Sequence, residues 1–106
     1  MGKIVILGVF VADTAYRAAR MPKMGETILG NSFALGPGGK GSNQAVAAGN
    51  LGADVTIITR LANDDFGSMA IQTWENANVK GAIKYSENSY TGAAVIFIDD
   101  ATGDNA

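Results

Sequence analysis

Two apolar runs restrict the folds open to this chain. Residues 3–11 read "KIVILGVFV", apolar almost throughout and rich in β-branched residues. Strict alternation would mark a strand with one wet face. An unbroken run marks a strand buried on both faces, as in a parallel sheet covered by helices. Residues 53–61, "ADVTIITRL", repeat the signal. Two helices alternate with these runs. Residues 42–51 are expected to be helical, with Ser42 or Asn43 as a cap and Gly52 just past the end. In "NDDFGSMAIQTWENANV" Asp64 can cap a second helix, and Phe66, Ala70, Trp74 and Ala77 share one face. Strand–helix–strand–helix order means α/β with a parallel sheet, whose clear strands lie around residues 4–9 and 55–59.

Other segments look extended but do not suit that sheet. "TAYRAARMP" has the mixed polarity of a half-exposed strand, and "GETILGNSFALG" is extended with a break at Gly30. "KGAIKYSE" is extended and polar, while "YTGAAVIFIDD" is a clear strand. Together they suggest a separate small antiparallel sheet. "DDATGDNA" supplies turn residues, and a hairpin turn calls for a returning strand, which the sequence does not provide before Ala106. Two parallel strands alone would leave long unpaired edges. The expectation is a fragment, or a chain that completes its sheets with another chain.

Composition excludes several functions. At 106 residues, with 47% hydrophobic and 17% charged residues, the chain is globular and suits one domain or part of a larger one. The net charge is −2 and no basic cluster occurs, which argues against a nucleic-acid surface. No cysteine or histidine is present, so disulfides, zinc sites and histidine-based relays are excluded within these residues. That composition is compatible with a cytoplasmic protein. The first apolar run is too short to span a bilayer and meets Asp13 at once, so neither a membrane segment nor a signal peptide is expected.

The chemistry concentrates at residues 36–44, "GPGGKGSNQ", ahead of a small-residue helix. A phosphate loop of the form GxxxxGK[ST] fails at both fixed ends, because Ala34 and Gly41 occupy the required positions. The dinucleotide letters GxGxxG fit Gly36, Gly38 and Gly41, with Asp54 downstream, but the first buried strand ends far upstream. A glycine turn that only lets a helix pack closely needs no ligand at all. The neighbours add a further reading. Asp13 follows the first strand, where open α/β sheets bind ligands. Asn43 lies in the first turn of a helix whose amides and positive end would face the same region. One carboxylate, one amide, Lys40 and backbone donors suit a polyhydroxyl ligand. Taken singly, Asp13 is equally a solvated acid, Asn43 a cap and Lys40 an exposed loop charge.

With these residues in view, the chain resembles ribokinase and its relatives, the phosphofructokinase B/ribokinase family of sugar and nucleoside kinases. The resemblance spans essentially all of the chain and rests on "VILGVFVAD", "PKMGETILG", "GPGGKGSNQAVAAGNLGADV", "NDDFG" and "YTGAAVIFI". It implies an α/β sandwich with a small β lid over a sugar, and transfer of phosphate from ATP with Mg2+ to a sugar hydroxyl. It implies that Asp13 accepts hydrogen bonds from sugar hydroxyls and that Gly39, Lys40, Gly41, Ser42 and Asn43 line the site, Asn43 directly. Ala94 and Ile96 would make apolar lid contacts. The lid would comprise residues 14–20, 27–35, 80–85 and 92–98, and would often pair with a second subunit in a homodimer.

Two departures follow. The ribose-type pattern has asparagine two residues before the first aspartate, and here that residue is Val11. An apolar side chain cannot replace that hydrogen bond, which puts ribose itself in question. The family's catalytic base, an aspartate in a later glycine-rich motif, and its ATP-binding loop have no counterpart in these residues. The expectation is therefore a sugar-binding N-terminal part with no catalytic residue, no metal ligand and no kinase activity alone. The rivals are a non-catalytic half-protein that self-associates through lid strands or sheet edges, and a dinucleotide-binding half-domain.

Overall fold

The computed structural model describes residues 2–106. Their elements run β1 (Lys3–Leu7), β2 (Val11–Ala18), β3 (Ser32–Gly38), α1 (Lys40–Asn50), β4 (Asp54–Ala62), α2 (Asp65–Asn76), β5 (Val79–Ser86) and β6 (Ala93–Asp99). The strands form two three-stranded sheets, ordered β1-β4-β5 and β3-β2-β6. The chain divides into two compact units: residues up to Ala12 with Pro37–Ala93, and Asp13–Gly36 with Ala94–Ala106.

The first unit holds the parallel sheet. β4 pairs in parallel with β1, Ile6 opposite Ile57, and with β5, Ile57 opposite Gly81. Both helices cover one face of it. Val55, Ile57 and Leu61 point that way and are buried with Ala45 of α1 and Ala70 and Trp74 of α2. Phe10 meets Trp74 edge-on at 6.1 Å and 84°, a favoured aromatic geometry. α2 starts as its sequence requires, with Asp64 as N-cap accepting from the Gly67 amide at 2.8 Å. Ala70, Trp74 and Ala77 are buried, and Phe66 packs partly against the same cluster.

Three expectations change here. β5 covers residues 80–85 and belongs to the parallel sheet, not to the small one. Its polar side chains reflect an edge strand whose second face is open. The first strand ends at Leu7, and Asp13 lies within β2 of the other sheet, not at the tip of β1. The break falls at Gly8. A Cβ there would lie 2.8 Å from the Gly41 Cα, so the chain must pass close to α1 at that residue. The helix cap is Gly39, with no side-chain cap, in place of Ser42 or Asn43.

The second unit contains most of the β3-β2-β6 sheet. Residues 14–20 overlap β2, residues 27–35 run into β3, and residues 92–98 overlap β6. Tyr16 stacks obliquely on Phe33 at 5.2 Å and on Phe97 at 5.7 Å. Asp100 takes hydrogen bonds from Asn31 Nδ2 at 2.7 Å and Arg17 Nη1 at 3.1 Å. Those donors hold its carboxyl below the usual range, Asn31 most. After the Asp99–Asp104 turn the backbone does return: Ile98 bridges Asn105 in antiparallel fashion, and Phe97 and Ala106 exchange both backbone bonds. No helix among the described residues is long and apolar enough to cross a membrane.

Candidate functional site

The glycine segment is built by close backbone packing within the first unit. Gly39 has φ +94°, a left-handed conformation that L side chains avoid. A Cβ at Gly39 would collide with the Val9 carbonyl oxygen and come within 3.1 Å of the Phe10 Cα. Gly41 faces Gly8 in the same way, its added Cβ 2.8 Å from the Gly8 Cα. Ser42 N then donates to Val9 O at 3.3 Å, and Asn43 N to Gly39 O at 2.9 Å. These glycines press the start of α1 against the link between β1 and β2. Close packing thus accounts for Gly39 and Gly41 before any ligand is considered.

What remains open at that helix start is polar. α1 has no acidic residue in its first turn and no side-chain cap. Its leading amides lack intrahelical acceptors and sit at the positive end of the helix. Lys40 and Asn43 are exposed, Gly39 and Gly41 half-buried. Ser42 differs. It is buried, and its hydroxyl accepts a hydrogen bond from Trp74 Nε1 at 2.9 Å. That side chain holds α1 to α2 and its amide donates to Val9 O, so both donors of Ser42 are engaged within the unit.

The other expected site residues lie in the second unit. Asp13 is half-buried in β2, and Ala94 and Ile96 are half-buried in β6. Within this unit Thr14 Oγ1 donates to Ala94 O at 2.9 Å, tying the residue after Asp13 to β6. Gly39–Asn43 therefore belong to one unit, and Asp13, Ala94 and Ile96 to the other.

Sequence reasoning missed a polar knot beside α2. Thr91 Oγ1 donates to Asp64 Oδ1 at 2.7 Å and accepts from Ala62 N at 2.9 Å. Thr91 N donates to Asp64 Oδ2 at 2.9 Å. These bonds, with that from Gly67 N, hold the Asp64 carboxyl below its ordinary value, the Thr91 amide most of all. Nearby, Ala12 N donates to Gly92 O at 2.8 Å. The threonine carried no local sequence signal, because its partners lie about thirty residues away, |i−j| being 27 to Asp64 and 29 to Ala62. The dinucleotide letters also find a different setting. Gly36 and Gly38 end β3 of the small sheet, whereas the fingerprint belongs after the first parallel strand.

Comparison with known proteins agrees with this architecture. The model of the pfkB family carbohydrate kinases matches residues 1–106. The ribokinase of Mus musculus is 36% identical over 98 residues, which cover 92% of this chain and 30% of that protein. The ribokinase structure from Giardia lamblia superposes with a TM-score of 0.89 at 32% identity, covering 100% of this chain and 34% of that one. The Arabidopsis thaliana ribokinase complexed with ribose and ATP gives a TM-score of 0.89 at 30% identity, covering 97% and 34%. The chain spans about a third of the length of these relatives.

Proposed function

The chain belongs to the pfkB family of carbohydrate kinases, and from that premise we propose that residues 1–106 form the sugar-binding, lid-bearing part of such an enzyme. The observation that carries this reading is the start of α1. A positive-φ glycine and a Gly8–Gly41 contact leave an uncapped, acid-free helix end with Lys40 and Asn43 exposed beside it. Sugar hydroxyls both donate and accept. They would accept from first-turn amides and Lys40, and exchange hydrogen bonds with the Asn43 amide. Asp13 would accept from further hydroxyls, and Ala94 and Ile96 of the small sheet would cover the apolar ring face. Ser42 would shape the site without donating to the sugar, since its hydroxyl serves Trp74 and its amide serves Val9 O. The Arabidopsis relative, described as bound to ribose and ATP, supports a small sugar as the ligand class. Val11 replaces the family's hydrogen-bonding asparagine, so ribose should be discriminated less sharply than in ribose-type members.

Phosphoryl transfer needs a base at the attacked hydroxyl and clamped phosphates. ATP would supply the phosphoryl group, with Mg2+ to neutralise its charge. Among the described residues no three His, Cys, Asp or Glu side chains gather as a metal site needs. Mg2+ is ordinarily held by one or two carboxylates together with substrate phosphates, and no step is routed through it here. These residues alone would bind sugar without turning it over. A coupled ADP-release assay on the purified chain is expected to show no sugar-dependent turnover, and such turnover would overturn the reading.

We also propose that two copies pair through the small sheet. Phe33, Leu35 and Val95 are large apolar side chains left exposed on its strands, and such surface usually marks an interface. Light scattering tests this, a strict monomer at high concentration being the adverse result.

A further inference from the structure

The Asp64 carboxylate does more than cap α2. A cap needs one oxygen, and Oδ1 supplies it by accepting from Gly67 N at 2.8 Å. Oδ1 also takes the Thr91 hydroxyl at 2.7 Å, and Oδ2 accepts from Thr91 N at 2.9 Å. The same hydroxyl accepts from Ala62 N, at the end of β4, at 2.9 Å. Thr91 and Ala62 are buried, so stranding their polar groups would be costly. Gly67 makes room for the cluster. A Cβ there would collide with Ala62 O and lie 3.1 Å from Thr91 Oγ1.

The cluster sits where the chain leaves the first unit. That unit ends at Ala12 and again at Ala93. Thr91 is followed by Gly92, whose carbonyl accepts from Ala12 N at 2.8 Å. Both exits are thus tied, inside the first unit, to one carboxylate: Ala93 through Thr91, and Ala12 through Gly92. The next residues along the chain are Asp13 and Ala94, two of the proposed sugar contacts. Within the second unit Thr14 Oγ1 donates to Ala94 O at 2.9 Å, which joins the same two strands again.

We propose that Asp64, acting through Thr91, is a positioning residue for sugar binding. It fixes the points from which the chain runs on into Asp13 and Ala94, and it touches no sugar itself. Groups held in place before binding lose less freedom when a ligand arrives, which raises affinity. The inference rests on the sugar reading above and adds a residue to it.

The test compares four variants of the purified chain. Asp64→Asn keeps the cap, since asparagine caps helices as well as aspartate does. Its Nδ2, however, offers a donor where Thr91 N needs an acceptor. Thr91→Val removes the hydroxyl, and Thr91→Ser keeps it. Thr73→Val is the control, because it breaks only the bond from Thr73 Oγ1 to Met69 O within α2. Without sugar, amide hydrogen exchange at Ala12 and in the first residues of β6 should quicken at least roughly tenfold in Asp64→Asn and Thr91→Val, with β4 and α1 unchanged. Thr91→Ser and Thr73→Val should exchange as the wild type does. In NMR titrations with ribose, 2-deoxyribose and fructose, the first two variants should hold the tightest-binding sugar at least roughly fivefold more weakly, and the other two should hold it normally. Unaltered exchange at Ala12, exchange that quickens evenly over the whole unit, or undiminished sugar affinity in Asp64→Asn would overturn the positioning role alone. A wild-type chain that binds none of the three sugars would overturn the sugar reading and this role with it, a result that the exchange measurement, made without sugar, keeps distinct from failure of the clamp.

Discussion

Gly39 and Ser42 show how much single residues carry here. Gly39 combines φ +94° with a Val9 carbonyl where its Cβ would stand. Gly39→Ala should therefore lower the unfolding free energy by at least about 1–2 kcal/mol. Gly36 has open space around its Cβ position, and Gly36→Ala should stay within about 0.5 kcal/mol. Urea denaturation of both variants checks the contrast. Ser42→Ala would strand the buried Trp74 indole N–H and should cost about 1–3 kcal/mol. Glu26 gives a prediction in pH. Arg20 Nη1 and Nη2 at 2.6 and 2.8 Å, with the Lys23 amide, lower its carboxyl from 4.5 to about 2. A folded value below the unfolded one means that the stability it contributes is present above pH 4.5 and fades as pH falls toward 2. Carboxyl NMR titration should place its midpoint near 2, and Arg20→Ala should raise it toward 4.5.

Among the elements, α2 carries most of the weight in the first unit. Trp74 packs against Phe10, bonds Ser42 and is 2% exposed. Trp74→Ala should cost about 3–5 kcal/mol, read by the same denaturation. Legibility also varies by element. α2 could be read almost completely, because Asp64 caps it and its apolar spacing is regular. β4 was clear from its β-branched run. The end of β1 was hidden. "KIVILGVFV" is uniformly apolar, and the break at Gly8 comes from a contact with Gly41, far along the chain. β5 was misplaced because its open face is polar, so its residues resembled the exposed strands of a small sheet. The α1 cap was misassigned for a similar reason. Ser42 has the chemistry of a cap, but Trp74, |i−j| 32 away, claims its hydroxyl.

At the scale of the whole molecule, the family and α/β architecture were legible because the glycine block that packs α1 against the β1–β2 link is distinctive in sequence and the apolar runs mark the parallel strands. The proposed sugar residues are divided, Gly39–Asn43 in one unit and Asp13, Ala94 and Ile96 in the other, and no single run of sequence holds them all. The central claim is that these residues bind a small sugar. The direct measurement is an amide NMR titration of the purified chain with ribose, 2-deoxyribose and fructose, repeated on Asp13→Ala and Asn43→Ala. Saturable shifts at Gly39–Asn43 and Asp13 with at least one sugar, lost in both variants, are the expected result. Spectra unmoved by all three sugars, or shifts that survive both substitutions, would contradict the account.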